Sequence, residues 1–169
     1  MKKAIFLDRD GVINVDRGYV YKIDDFEFFH DVFSTLKYFQ KQNFLIFIVT
    51  NQSGIARGYF THEDFDKLNR YILEEFRKEG IVISKIYFCP HSPDENCECR
   101  KPKPKMLLDA MSEFDINMKK SWMIGDKESD MEAGHNAGIK NLILINKKSP
   151  KSVAKYNVNS LSDTIKVIF

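Results

Sequence analysis

The 169-residue chain carries 26 basic and 24 acidic residues, a formal net charge of +2, and 43% apolar residues. That composition suits one folded domain with a substantial core and excludes a disordered chain. The charge balance gives no electrostatic case for nucleic acid or a membrane surface, and no apolar run approaches the ~20 residues that span a bilayer.

Residues 4–7, AIFL, form a short apolar run that predicts a buried strand. It ends in Asp8-Arg9-Asp10-Gly11. In an extended chain residues 8 and 10 point the same way. Two carboxylates then share one small volume, which asks for a proton or a cation. Gly11 lets the chain turn away. A loop follows over 15–25, and 26–29 has no clear state. Helix is predicted over about 31–42, with Val32, Leu36 and Phe39 on one face. Residues 44–49, FLIFIV, give the strongest buried-strand signal, and they end in Thr50-Asn51-Gln52-Ser53-Gly54. Thr61 with Asp64 marks a capped helix that places Phe65, Leu68, Ile72 and Phe76 on one face and stops at Gly80. Residues 81–88 read as a strand and 89–105 as a loop holding all three cysteines. A helix then carries Leu107, Met111 and Phe114 inward. Residues 121–124 read as a strand ending in Gly125-Asp126, with Trp122 in the core. Helix over 127–136, strand over 141–145, a lysine-rich connection over 147–155, a short strand near Asn157 and a helix from about Ser160 complete the pattern. His30, His62 and His135 have no partners that suggest chemistry.

Strands alternating with helices predict an α/β fold, a mostly parallel sheet covered by helices on both faces, with residues 1–169 as one domain. Right-handed crossovers put the carboxyl ends of parallel strands along one edge, where ligands bind. That edge gathers Asp8, Asp10, Thr50, Asn51 and Asp126, with the loop bearing Lys101 in reach. Asp8, Asp10 and Asp126 suit a hard divalent cation, Mg²⁺. One carboxylate can attack phosphorus while a second moves protons. Thr50 and Lys101 would hold the phosphoryl oxygens. A separate pattern, Cys89-x-His91 with Cys97-x-Cys99, offers three thiols and one imidazole, the donor set of a closed structural zinc site. The apolar start of the chain is too short for a signal peptide, so a cytoplasmic protein is expected, where clustered cysteines suggest a metal before disulfides.

The segments Asp8-Arg9-Asp10-Gly11, Thr50-Asn51, Lys101-Pro102 and Gly125-Asp126-Lys127-Glu128-Ser129-Asp130 resemble the four motifs of the haloacid dehalogenase phosphohydrolases, in order and rough spacing. NVDRGYV, TNQSGIARG and the CPH…CxCRKPKP loop resemble more closely the D-glycero-D-manno-heptose-1,7-bisphosphate 7-phosphatase family. The resemblance implies a three-layer Rossmann-like fold without a cap domain and with a zinc-bound loop. It implies Asp8 as nucleophile, Asp10 as acid and base, and Mg²⁺ held by Asp8, the Asp10 backbone carbonyl and Asp126. Thr50 and Lys101 would stabilise the phosphoryl group. Asp16, Arg17, Gly18, Tyr19, Asn51, Gln52, Ser53, Arg100 and Lys127 match positions that contact substrate in the family. Arg57 lies in a loop that borders the sugar there. Arg100 suits the C1 phosphate, because its fork donates two hydrogen bonds. Asp130 is expected to support the metal ligands. The implied partner is a small sugar bisphosphate on the route to nucleotide-activated heptose, with no nucleic acid or membrane involved, and a monomer is expected. The short loop between His91 and Cys97 is closer to histidinol-phosphate phosphatase, which stands as the alternative activity. A non-catalytic zinc-stabilised binding domain is the alternative from another class.

Overall fold

The computed structural model describes residues 1–146 and 151–168. Its sheet is built from β1 (Lys3–Leu7), β2 (Phe44–Asn51), β3 (Lys85–Cys89), β4 (Trp122–Gly125), β5 (Asn141–Ile145) and β6 (Tyr156–Val158). All neighbours pair in parallel, in the order β3-β2-β1-β4-β5-β6. The helices are α1 (Val32–Lys41), α2 (His62–Lys78), α3 (Lys105–Phe114) and α4 (Glu128–Asn136).

Alternation along β1 divides its side chains between two apolar layers. Ile5 and Leu7 pack with Leu36 and Phe39 of α1 and Leu68, Ile72 and Phe76 of α2. Ala4 and Phe6 pack with Met106 and Leu107 of α3 and Met131 of α4. The sheet is therefore covered on both faces, as the near-continuous apolar strands require. From β1 the chain adds β2 and β3 on one side, then crosses back to add β4, β5 and β6 on the other. The reversal lies between β1 and β4, and sheets of this kind bind ligands outside the carboxyl ends at that point. The Asp8 N–H donates to the Ile124 carbonyl at 3.1 Å, which ties the two strand ends together there.

The structure departs from the sequence pattern at two places and gives a state to residues 26–29, which the pattern left open. Strand β3 begins at Lys85 and not near residue 81. It is an edge strand with β2 as its one neighbour. Residues 81–84 only carry the chain from α2 to that register, with Ile81 buried and Val82 68% exposed. In place of a closing helix there is a 3₁₀ stretch, Ser162–Lys166, anchored where Asp31 Oδ2 accepts from the Ser162 N–H at 2.9 Å and by buried Leu161, Thr164 and Ile168. Residues 26–29 contribute one isolated antiparallel bridge, Asn14 to Phe28. Lys147 and Lys148 lie outside the described residues, while Lys151 and Lys155 are exposed. Trp122 is buried, and His30, His62 and His135 are exposed.

Helix α2 opens as the sequence indicates. Thr61 Oγ1 accepts from the Asp64 N–H at 3.0 Å, and Asp64 Oδ2 accepts from the Thr61 N–H at 2.9 Å. Thr61→Ala should therefore cost about 1 kcal/mol of stability. In urea unfolding the midpoint should fall with the slope unchanged; an unmoved midpoint would show that the cap contributes nothing.

Candidate active site

Asp8 stands one residue beyond β1, and Lys101 reaches it from the loop between β3 and α3. All three Lys101 Nζ donors are used: to Asp8 Oδ1 at 2.9 Å, to Asp130 Oδ1 at 2.6 Å and to the Val49 carbonyl at 2.9 Å. Asp8, Lys101 and Asp130 are all buried. The Asp8, Asp126 and Asp130 carboxylates lie within 4.8 Å of one another. Burial, and next the charge of Asp130, hold the Asp8 carboxyl well above the usual carboxylate range, with Lys101 pulling the other way. For Lys101, burial opposes the charged form, but Asp130 and Asp8 outweigh it and the net shift is upward. Three carboxylates thus face one ammonium. Hard oxygen donors carrying that excess charge fit a divalent cation of the magnesium class. Gly11 makes room for them: a Cβ there would overlap the Asp126 carboxylate, and its φ of +89° is one that glycine adopts freely.

Asp10 belongs to a different environment. Its Oδ1 accepts from Arg9 Nη2 at 3.0 Å and Asn14 Nδ2 at 3.0 Å, and its Oδ2 accepts from Gln52 Nε2 at 3.2 Å. The carboxylate of Asp10 is therefore bound elsewhere, and Asp130 takes its place beside Asp8 and Asp126. The Gln52 amide also donates to Thr50 Oγ1 at 2.9 Å, which links the end of β2 to Asp10. Sequence reasoning passed over Arg9. It is 1% exposed and also donates to the Val20 carbonyl at 2.8 Å. The alternation that pairs residues 8 and 10 sends residue 9 toward the opposite layer, which was the available signal.

A cleft of about 520 Å³ opens beside Asp10. Among the residues expected to contact substrate, Asp16, Gly18, Tyr19, Asn51, Gln52, Ser53, Arg57, Arg100 and Lys127 line it, together with Lys101. Pro93, Pro102 and Ser129 complete the wall; Pro102 and Ser129 fall within the motif segments without an assigned role, and Pro93 carried no sequence signal. Asn51 fastens the Lys101 main chain from both sides, accepting its N–H at 3.1 Å and donating to its carbonyl at 3.3 Å. Arg100 Nη1 donates to the His91 carbonyl at 3.3 Å. Arg17 is a correction. Its guanidinium turns to the Asp25 carbonyl and the Glu27 carboxylate, which offer it a surface ion pair, and it is not part of the cleft lining.

The structure also brings the three cysteines together. Cys97 Sγ lies 3.5 Å from Cys89 Sγ and 3.9 Å from Cys99 Sγ, and Cys89 and Cys99 are joined as a disulfide. Sulfurs sharing one tetrahedral zinc stand roughly 3.8 Å apart. The two distances to Cys97 are of that size, but the bonded pair is not, so the disulfide corrects the expectation of three free thiols and the cluster could bind zinc only once it is reduced. His91 does not join them here. Its Nδ1 lies 3.5 Å from Glu95 Oε2, a carboxylate one turn away that competes for the ring.

Comparison with known proteins follows the same lines. Residues 98–163 match the HAD-hydrolase-like family model. The chain is 60% identical over 146 residues to the D-glycero-alpha-D-manno-heptose-1,7-bisphosphate 7-phosphatase of Campylobacter jejuni, covering 86% of this chain and 84% of that one. The chain belongs to the D-glycero-D-manno-heptose-1,7-bisphosphate 7-phosphatase family. Another family member, the D-glycero-beta-D-manno-heptose-1,7-bisphosphate 7-phosphatase of Helicobacter pylori, is 49% identical over 169 residues and 97% of each chain. Among solved structures, the D,D-heptose 1,7-bisphosphate phosphatase of B. bronchiseptica, complexed with magnesium and phosphate, superposes with a TM-score of 0.87 at 27% identity, over 98% of this chain and 97% of that one. The fold is thus that of the haloacid dehalogenase phosphatases, and the chain is a phosphoric monoester hydrolase.

The charge excess at Asp8 has a measurable consequence. A carboxyl whose pKa is raised on folding binds more protons folded than unfolded, so stability falls as pH rises from the ordinary carboxylate range through the raised value. Metal-stripped protein should therefore lose melting temperature as pH rises above the ordinary carboxylate range, and Asp8→Asn should flatten that slope. Millimolar Mg²⁺ should raise the melting temperature of the unaltered protein at neutral pH and that of Asp8→Asn less. Identical pH slopes in the two proteins would contradict the clustered-charge account.

Proposed function

We propose that the chain removes the C7 phosphate of D-glycero-D-manno-heptose 1,7-bisphosphate, in a Mg²⁺-dependent reaction through a phosphoaspartyl intermediate on Asp8. The observation that carries this reading is the 60% identity to a relative named for that activity, over 86% of the chain. Asp8 attacks phosphorus, and the bond between phosphorus and the C7 oxygen breaks. Asp10 gives a proton to the leaving alkoxide and then takes one from the water that attacks the phosphoaspartate. The bonds from Arg9, Asn14 and Gln52 hold its carboxyl at the cleft wall for both transfers. Thr50 and Lys101 offset the charge on the phosphoryl oxygens. Asp8, the Asp10 backbone carbonyl and Asp126 would hold Mg²⁺, which supplies Lewis-acid charge next to the transferred group. The magnesium in the B. bronchiseptica relative supports that choice of cation.

Specificity falls to the cleft. Arg100, Arg57 and Lys127 supply cations for the C1 phosphate, and Asp16, Gly18, Asn51 and Ser53 supply polar contacts for sugar hydroxyls. In the reduced protein Cys89, Cys97 and Cys99, with His91, would bind a structural Zn²⁺ and fix the segment before Arg100. We further propose a monomeric cytoplasmic enzyme with a small-molecule substrate and no nucleic-acid or membrane partner. Its place is in the synthesis of nucleotide-activated heptose for lipopolysaccharide or another surface glycan.

Relatives named for both C1 anomers match the chain, so both enter the decisive assay. Phosphate release is measured with each heptose bisphosphate anomer, histidinol phosphate and fructose 1,6-bisphosphate. One heptose anomer should exceed the other two compounds by about 100-fold in kcat/KM, and Asp8→Asn should abolish turnover. A higher kcat/KM on histidinol phosphate would transfer the assignment to that substrate. For the second metal, protein purified under reducing conditions should contain about one zinc per chain. Cys97→Ser should lose the zinc and melt at lower temperature, since binding free energy is folding free energy. Zinc near zero in the reduced, unaltered protein would remove the site.

A further inference from the structure

Two large rings stand exposed together at the rim of the cleft. Tyr19 is 48% exposed and Tyr59 54%. Their centroids lie 4.8 Å apart at an interplanar angle of 75°, edge to face. They come from different loops, one after β1 and one after β2. Tyr19 is part of the cleft wall, and Tyr59 lies outside its lining. Tyr59 therefore meets the cleft through its contact with Tyr19.

The backbone of Tyr19 has a φ of +51°, a region that disfavours bulky side chains. It is clamped on either side. Before it, the Gly18 N–H donates to Asp16 Oδ1 at 3.0 Å. After it, Val20 is buried and its carbonyl accepts from Arg9 Nη2 at 2.8 Å. The strained position is thus fixed by its neighbours, and it presents a ring that the core does not use. Tyr59 is held as firmly, its N–H donating to the Gly54 carbonyl at 2.9 Å. Paired exposed rings beside a ligand cleft mark a contact surface. The other side chains in that wall are mostly charged or polar and suit phosphates and hydroxyls; Tyr19 supplies an apolar face. A sugar also has C–H surface, for which an aromatic face is the fitting partner.

We propose that Tyr59 is a positioning residue that holds the Tyr19 ring against the C–H face of the sugar, and that this pair favours sugar phosphates over small phosphoryl compounds that have no sugar. The proposal rests on the substrate reading above. An edge-to-face contact fixes ring orientation and is of the size that shifts binding by about threefold to tenfold.

The test compares unaltered enzyme, Tyr59→Ala and Tyr59→Phe on the heptose bisphosphate and on acetyl phosphate, which has a phosphoryl group and no sugar. Tyr59→Ala should raise KM for the bisphosphate by about threefold to tenfold with kcat within about twofold. Tyr59→Phe keeps the ring and should restore KM. On acetyl phosphate all three should agree, and their melting temperatures should lie within about 4 °C of one another, since only one half-exposed ring contact is lost. Equal losses on both substrates, or an unchanged KM in Tyr59→Ala, would overturn the proposal alone. Unaltered enzyme active on acetyl phosphate and inactive on the bisphosphate would overturn the substrate reading and the sugar wall with it.

Discussion

The ion network around Lys101 is the constraint on which the site depends. Removing an ion from water costs roughly several kcal/mol after relaxation, and only close pairing offsets it. Here the buried ammonium meets Asp8, Asp130 and the Val49 carbonyl at 2.6 to 2.9 Å, so no donor is left over. The partners are far apart in sequence: Asp8 is 93 residues before Lys101 and Asp130 is 29 after it. The network therefore requires β1, β2 and β4 to be paired and the loop after β3 to lie over their carboxyl ends. Asn51, at the end of β2, then fastens that loop by its main chain. Sheet order and ion pairing are one constraint seen at two scales.

The same network separates the two aspartates of one short motif. Asp8 sits among like charges and is held protonated more readily than usual by burial. Asp10, two residues on, is surrounded by donors from Arg9, Asn14 and Gln52. Environments that differ in this way are how a pair of carboxylates acquires two roles. In the reaction proposed above, the first would serve as the nucleophile and the second, at the edge of the cleft, as the proton carrier.

Much of this could be read from the residues because it is written in local pattern. The FLIFIV run became β2, the Thr61–Asp64 pair became a capping box, and the polar residues after three strands met at one edge. Where the pattern failed, tertiary context decided. Residues 81–84 have strand composition, but an edge position gives them no second neighbour. The segment after Ser160 has helical composition and settles into a five-residue 3₁₀ stretch whose first N–H, that of Ser162, is taken up by Asp31. Arg9 was hidden because a charged residue normally signals solvent. Only its parity with Ile5 and Leu7 places it over the same layer, near the Phe26 ring. Arg17 failed for the opposite reason: a matching segment locates a residue in a loop but does not say which neighbour its side chain will choose.

One difficulty is how a loop with almost no regular structure presents a buried lysine at fixed distances. Between β3 and α3 there is one short 3₁₀ turn, Pro93–Glu95. Holding such a segment in one conformation costs backbone entropy at every residue. The disulfide between Cys89, the last residue of β3, and Cys99, the residue before Arg100, reduces that cost, and Cys97 Sγ packs against both sulfurs. Lys103 extends the restraint, since its Nζ donates to the Cys97 carbonyl at 2.6 Å and its N–H to the Arg100 carbonyl at 2.9 Å. Arg100 and Lys101 are thus bracketed by the sulfur cluster on one side and the Asn51 clamp on the other. The sulfur cluster restrains two side chains of the cleft wall, Arg100 and Lys101, the second of them bonded to Asp8. Under the proposed reaction, loosening the cluster would act on catalysis through Lys101 and on specificity through Arg100.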